Sequence, residues 1–175
     1  MTLKLKRTPG IYLVGFMASG KSTVGIRLAD ELGWGFFDLD ADIEAKHKVT
    51  IAEIFDKRGE AEFRKIESDA LHLRIRAIQS GRPTVLALGG GAFIMEENIG
   101  LMNENGVTIW LDCPLDEIRM RLMNDIVDRP LARDPHRLEE LYNSRRMSYT
   151  QADYRVDASG AADPLAQILA LPLFS

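Results

Sequence analysis

Cysteine is almost absent from this chain of 175 residues: Cys113 stands alone. One thiol cannot close an internal disulfide, so a disulfide-stapled secreted scaffold is excluded, and an unpaired thiol suits a reducing compartment. Its place just after the apolar run 107–111 points to packing rather than reactivity. Basic charge is not in excess either. Lys and Arg number 22 against 26 Asp and Glu, giving a formal charge of −4 and a pI near 5.4. Such a chain lacks the broad basic surface of a general nucleic-acid binder, so any phosphate it binds must meet a local cluster of donors. No apolar run approaches the length of a membrane span. The N-terminus, MTLKLKRTPG, is basic but lacks the apolar stretch of a signal peptide. Repeats, low-complexity tracts and linkers are missing too. What is left is a single domain, residues 1–175, whose 46% hydrophobic content can fill a core. The expectation is a cytoplasmic protein with no nucleic-acid or membrane partner.

Apolar segments alternate with amphipathic ones. Strands are expected at residues 11–14, 35–38, 84–88, 107–111 and 154–157. Helices are expected at 22–32, 41–48, from Thr50 onward, at 59–80, at 114–123 with Pro114 in the first turn, and at 137–152 and 164–171. Thr50 with Glu53 three residues later reads as a capping box. Strands separated by helices give an α/β fold, a parallel sheet covered on both faces. Residues 124–136 are polar and aperiodic, and a loop of that length in a compact domain tends to be functional or mobile.

Residues 15–22 read GFMASGKS, a G-x-x-x-x-G-K-S loop directly after one strand and before a helix. Successive backbone N–H groups in such a loop point at an anion, and the helix N-terminus adds a positive dipole. Lys21 then reaches the β- and γ-phosphates of a nucleotide, and the Ser22 hydroxyl can ligate Mg2+. The bland alternative is a glycine-rich turn that happens to match.

Other candidates gather at strand ends. FFDLDADIE sets Asp38 and Asp40 at the carboxyl edge of the second strand, where open α/β sheets bind ligands. One can support Mg2+ and the other can accept a hydroxyl proton; equally, Asp40 can be the N-cap of a helix starting at Ala41. Asp42 reads as a first-turn residue favoured by the helix dipole. Arg64 and Glu67, three apart on a helix, are by pattern first a solvated surface pair. The functional alternative is an arginine that Glu67 holds ready to grip a carboxylate. Gly89, Gly90 and Gly91 follow the third strand and allow close backbone approach to a ligand. Arg129, in the aperiodic loop, can fold over a nucleotide as a lid residue. Arg145 and Arg146 share the next helix, with at least one expected to be solvated.

Together GFMASGKST, FFDLDADIE, EFRKIE, LGGGA, DRPLA and RRMSY, in this order, resemble the shikimate kinase family over nearly the whole chain. The resemblance implies a P-loop kinase of the nucleoside-monophosphate-kinase-like three-layer type, with a five-stranded parallel sheet in order 2-3-1-4-5. It implies transfer of the ATP γ-phosphate, with Mg2+, to the 3-hydroxyl of shikimate, in a monomer. The P-loop would be residues 15–23, the acceptor-binding helical section about 38–67 and the lid about 124–136. Asp40 would accept the hydroxyl proton, with Lys21 and Arg129 stabilising the transferred group. Gly15, Ala18, Ser19, Gly20, Lys21, Ser22 and Thr23 would cradle the nucleotide, and Arg121 would pack on adenine. Ser22 and Asp38 would serve the metal. Arg64 and Arg146 would clamp the shikimate carboxylate, positioned by Glu67; Phe55 and Phe63 would line its apolar side, and Gly89, Gly90 and Gly91 its backbone side.

Two departures stand out. Many members carry glycine where this chain has Ala18, which should alter nucleotide affinity more than reaction type. The loop 158–163 is one residue longer than in some members and carries no arginine. A gluconate kinase would share the P-loop and lid without needing D-x-D, F-R and G-G-G together. A nucleoside monophosphate kinase would show an acceptor pattern that is missing. A non-catalytic nucleotide-binding module would not need Asp40 and Arg129.

Overall fold

A computed structural model describes residues 10–174; the basic N-terminal stretch read above lies, except for Gly10, outside the described residues. Five strands form one sheet: β1 (Gly10–Val14), β2 (Gly35–Asp38), β3 (Thr84–Ala87), β4 (Val107–Asp112) and β5 (Tyr154–Asp157). Their order is β2-β3-β1-β4-β5, every pairing is parallel, and this is the architecture the family resemblance implied. The central strand β1, GIYLV, is buried along its whole length, as a strand packed on both faces must be. The neighbours of β1 are β3 and β4, so the chain leaves it in opposite directions. That reversal opens a crevice beyond its carboxyl end. Leu13 pairs with Ala87 and Ile109, and Asp38 with Ala87. The register therefore delivers the ends of β1, β2 and β3, each followed by a candidate segment, to one edge.

The helices are α1 (Lys21–Leu32), α2 (Leu39–His47), α3 (Ile51–Gln79), α4 (Glu96–Glu104), α5 (Leu115–Met123), α6 (Pro135–Tyr149) and α7 (Pro164–Leu169). In α1 the stripe of Val24 and Leu28 is buried, and Gly33 ends the helix. Two expected helices join as α3, bent at Gly59, whose φ of 81° and ψ of 169° are open to a residue without a Cβ. At the start of α3 the Thr50 hydroxyl accepts from the Glu53 N–H at 3.1 Å. Helix α4 was not expected. Its sequence, EENIGLMNE, has a glycine within it and no side-chain cap, so neither periodicity nor a start signal marks it. Cys113 is buried as expected, and burial pushes its thiol up to about 11, which leaves it unreactive.

Helix α2 starts two residues earlier than the pattern suggested, and this corrects two readings. The N-cap is Asp38, not Asp40: its carboxylate accepts from the Asp40 N–H at 2.9 Å and the Ala41 N–H at 3.4 Å. Asp42 is more than a first-turn residue. It accepts both Nε and Nη2 of Arg74 at 2.5 and 2.7 Å, while the Arg74 guanidinium lies 3.5 Å from the centroid of Phe37. The pair ties α2 to α3 with both side chains about a quarter exposed, at 27% and 24%. Asp42→Asn is therefore not silent: it should cost about 0.5–1 kcal/mol and leave turnover unchanged. Chemical denaturation measured beside an activity assay checks both halves.

Candidate active site

The loop between β1 and α1 has the features of an anion cradle. Helix α1 carries no side-chain N-cap among the described residues, so the N–H groups of its first turn are left available to an anion. Ser19 is 2% exposed, and its hydroxyl has no partner among the described residues. Lys21 Nζ donates to the carbonyls of Gly15 and Phe16, both at 2.8 Å. Burial lowers its pKa to about 8; Arg129 pushes the same way, whereas Asp40 and Asp38 oppose. A desolvated ammonium among unpaired N–H donors fits a polyphosphate. Gly15 contributes its carbonyl to Lys21 rather than lining the cleft; Ala18, Ser19, Gly20, Lys21, Ser22 and Thr23 do line it. Ala18 holds a φ of +60°, a left-handed conformation that costs a residue with a Cβ about 1 kcal/mol.

Ser22 Oγ donates to Asp38 Oδ2 at 2.6 Å. Hydroxyl and carboxylate thus meet at the mouth of the cradle, an oxygen donor set suited to a hard divalent cation beside phosphates. Asp38 serves twice, one oxygen capping α2 and the other facing Ser22.

Next to the cradle the cleft, about 850 Å3, continues between α3 and the glycine triplet. Asp40 Oδ1 and Glu67 Oε2 are buried there without a hydrogen-bond partner among the described residues. A Cβ added to Gly89 would lie 3.0 Å from each of these oxygens, and one added to Gly91 would lie 2.4 Å from both terminal nitrogens of Arg64. Gly89 and Gly91 are thus needed for close approach, since a side chain at either would displace the carboxylates or the guanidinium, whereas a Cβ at Gly90 would meet only ordinary contacts. Burial raises the Asp40 carboxyl to about 6, helped by Asp38 and Glu67 and opposed by Lys21 and Arg129. Glu67 is also raised, chiefly by burial, against the pull of Arg64. The pattern that suggested a solvated Arg64–Glu67 pair is overturned. Glu67 is 1% exposed and bonds Arg64 at 2.9 Å. Phe55 and Phe63, with ring centroids 4.7 Å apart, form the apolar wall.

The segment 125–131 lines the same cleft as the cradle. Asp125, Ile126, Val127, Asp128 and Arg129 line the cleft. Arg129 pairs with Asp125 at 3.0 Å. Arg121 donates to the Ala18 carbonyl at 2.9 Å and the Ala158 carbonyl at 3.3 Å, bridging the P-loop to the loop 158–163. Ile126 and Val127 are 100% and 59% exposed, so little burial holds this segment in place. Hydrogen exchange over 124–136 should be fast in the free protein and slow when ADP is added. Strong protection without nucleotide would contradict a moving lid.

One assignment is corrected. Arg146 does not face the cleft. It pairs with Asp112 at the end of β4, bonds Tyr142 Oη and stacks over Trp110. Its neighbour Arg145 lines the cleft instead. Among the described residues Arg145 makes no hydrogen bond or ion pair, while it feels the charges of Arg64 and Glu67. Leu141, one helical turn earlier, lines the same cleft wall. Arg145→Ala should raise the acceptor KM at least about tenfold, because a charged fork is lost, with little effect on the nucleotide KM. Arg146→Ala should alter stability and leave the acceptor KM near wild type. The reverse pattern in steady-state kinetics would restore the original reading.

A P-loop at the switch point of a parallel sheet, with a raised carboxyl beside it and Arg129 on the same cleft, defines an ATP-dependent phosphotransferase. The family model for shikimate kinase matches residues 17–170. A shikimate kinase from Persephonella marina is 41% identical over 86% of this chain and 89% of its own length. Among solved structures, shikimate kinase from Bacteroides thetaiotaomicron superposes with a TM-score of 0.81 at 31% identity, covering 91% of this chain and 96% of that one. Shikimate kinase from Acinetobacter baumannii, solved in complex with shikimate, gives 0.77 at 34% identity, covering 97% and 93%. The chain belongs to the shikimate kinase family.

Proposed function

We propose that this chain transfers the γ-phosphate of ATP to the 3-hydroxyl of shikimate, releasing ADP and shikimate 3-phosphate. The observation that carries the acceptor is Arg145: a guanidinium without an ion-pair partner among the described residues, in the cleft that Arg64 also lines. Arg64 is paired with both Glu67 and Glu60, whereas Arg145 has no ion-pair partner among the described residues, which leaves its guanidinium available to a carboxylate. Lys21 and Asp40 interact electrostatically, and Asp40 and Glu67 both abut Gly89. Phosphate cradle, base and carboxylate clamp thus follow one another along the cleft.

The chemistry follows from these groups. Arg64 and Arg145 grip the acceptor carboxylate and orient the ring against Phe55 and Phe63. Asp40, ionised above pH 6, takes the proton of the hydroxyl as its oxygen bonds to phosphorus. The bridging P–O bond breaks and ADP leaves with the electron pair. Lys21 and Arg129 hold the charge that spreads over the transferring oxygens. Ser22 and Asp38 would hold Mg2+, which when bound neutralises phosphate charge. The formal charge of −4 argues against a nucleic-acid acceptor. A coupled ADP-release assay with shikimate, gluconate and AMP tests the reading. Shikimate should support turnover and the other two only background; comparable turnover with gluconate or AMP would refute it.

A further inference from the structure

Tyr149 is the last residue of α6, one helical turn beyond Arg145. It is 1% exposed, and its ring packs 5.9 Å from Trp110. Its hydroxyl donates to the Gly90 carbonyl. Burial pushes the phenol well above its ordinary range, so it remains a donor at any working pH. The bond crosses from a helix to the loop after β3, joining segments 59 residues apart in sequence.

Its consequence lies in the next peptide. There are no cis peptide bonds among the described residues, and in a planar trans peptide C=O and N–H point in opposite directions. Fixing the Gly90 carbonyl toward Tyr149 therefore turns the Gly91 N–H away from it. Among the described residues that N–H donates to no protein acceptor, whereas the following one, Ala92 N–H, closes a turn onto the Gly89 carbonyl. Gly91 lies against the Arg64 guanidinium, close enough that a Cβ would collide with it, and both line the cleft.

We propose that Tyr149 is a positioning residue for the acceptor: its hydroxyl locks the Gly90–Gly91 peptide so that the Gly91 N–H adds a third donor for the carboxylate gripped by Arg64 and Arg145. The proposal rests on the acceptor reading given above. Helix α6 then serves the carboxylate twice, directly through Arg145 and through the backbone by Tyr149.

Tyr149→Phe removes the hydroxyl and keeps the ring on Trp110. With shikimate as acceptor, its KM should rise about tenfold, the size of one lost hydrogen bond to a charged group. The value of kcat and the KM for ATP should stay within about twofold of wild type. A role confined to stability would lower the melting temperature and leave the acceptor KM in place; that result, or equal rises in both KM values, overturns the proposal. A measurement on wild type does not depend on the variant folding. In 15N-labelled protein, shikimate should shift the Gly91 amide resonance downfield. Turnover of shikimate with an unmoved Gly91 amide overturns the positioning role alone. Absence of any shikimate turnover by wild type overturns the acceptor reading beneath it.

Discussion

Asp40→Asn should lower turnover about 10²-fold or more, the usual size of a general-base effect, without loss of stability. Asparagine keeps the shape of the side chain and cannot take the hydroxyl proton. The N-cap of α2 is Asp38, so the change leaves the helix start intact. The effect on stability has a definite sign. Asp40 titrates at about 6 in the folded protein, against about 3.9 for a free aspartate. The folded state therefore binds this proton more tightly than the unfolded chain does. That contribution is fully present below about pH 4 and is lost as the pH rises through about 6. Above pH 6 wild type carries a buried charge that asparagine lacks, and the variant should melt at the same or a higher temperature. In wild type, kcat/KM for the acceptor should fall as pH drops below about 6, as the base becomes protonated. A variant with near-native turnover, or one that melts well below wild type at pH 7.5, would remove Asp40 from the chemistry.

Lys21→Ala should reduce turnover on the order of 10²- to 10³-fold, the loss seen when one preorganised donor to a developing charge is removed. The ammonium bonds two loop carbonyls, Gly15 and Phe16, and its lowered pKa shows that burial disfavours its charge. A folded state that depresses the pKa of a lysine gains nothing from that charge near neutrality, so the fold should survive the change. Calorimetric titration with ADP should show weaker binding while circular dichroism stays native. Near-native turnover in the folded variant would mean that the phosphates sit elsewhere.

The parts of this site that follow from local pattern were legible. The P-loop is a contiguous signal, and the acidic pair and the glycine triplet sit at strand ends where the pattern changes. What failed was the choice between neighbours. Asp38 and Asp40 exchanged the capping role because the strand runs straight into the helix at Leu39, a boundary that apolar periodicity does not resolve. Arg145 and Arg146 lie three and four residues after Tyr142, and four and three before Tyr149, both buried on α6. Each spacing is compatible with the same helical stripe, so periodicity cannot choose; the choice is made by Asp112, at the end of a distant strand. Glu67 looked solvated among so many charges because its cover comes from the loop after β3. The Arg74–Asp42 pair spans 32 residues and leaves no local trace. The sheet order came from family resemblance, since alternation of strands and helices fixes a parallel sheet but not which strand lies in its middle.

The most direct measurement is the product itself. Protein incubated with ATP, Mg2+ and shikimate should give, by 31P and 1H nuclear magnetic resonance, one ADP for each phosphorylated acceptor, with the phosphorus coupled to the proton on carbon 3. Phosphate on another oxygen, or ADP formed with free phosphate and unchanged shikimate, would contradict the account.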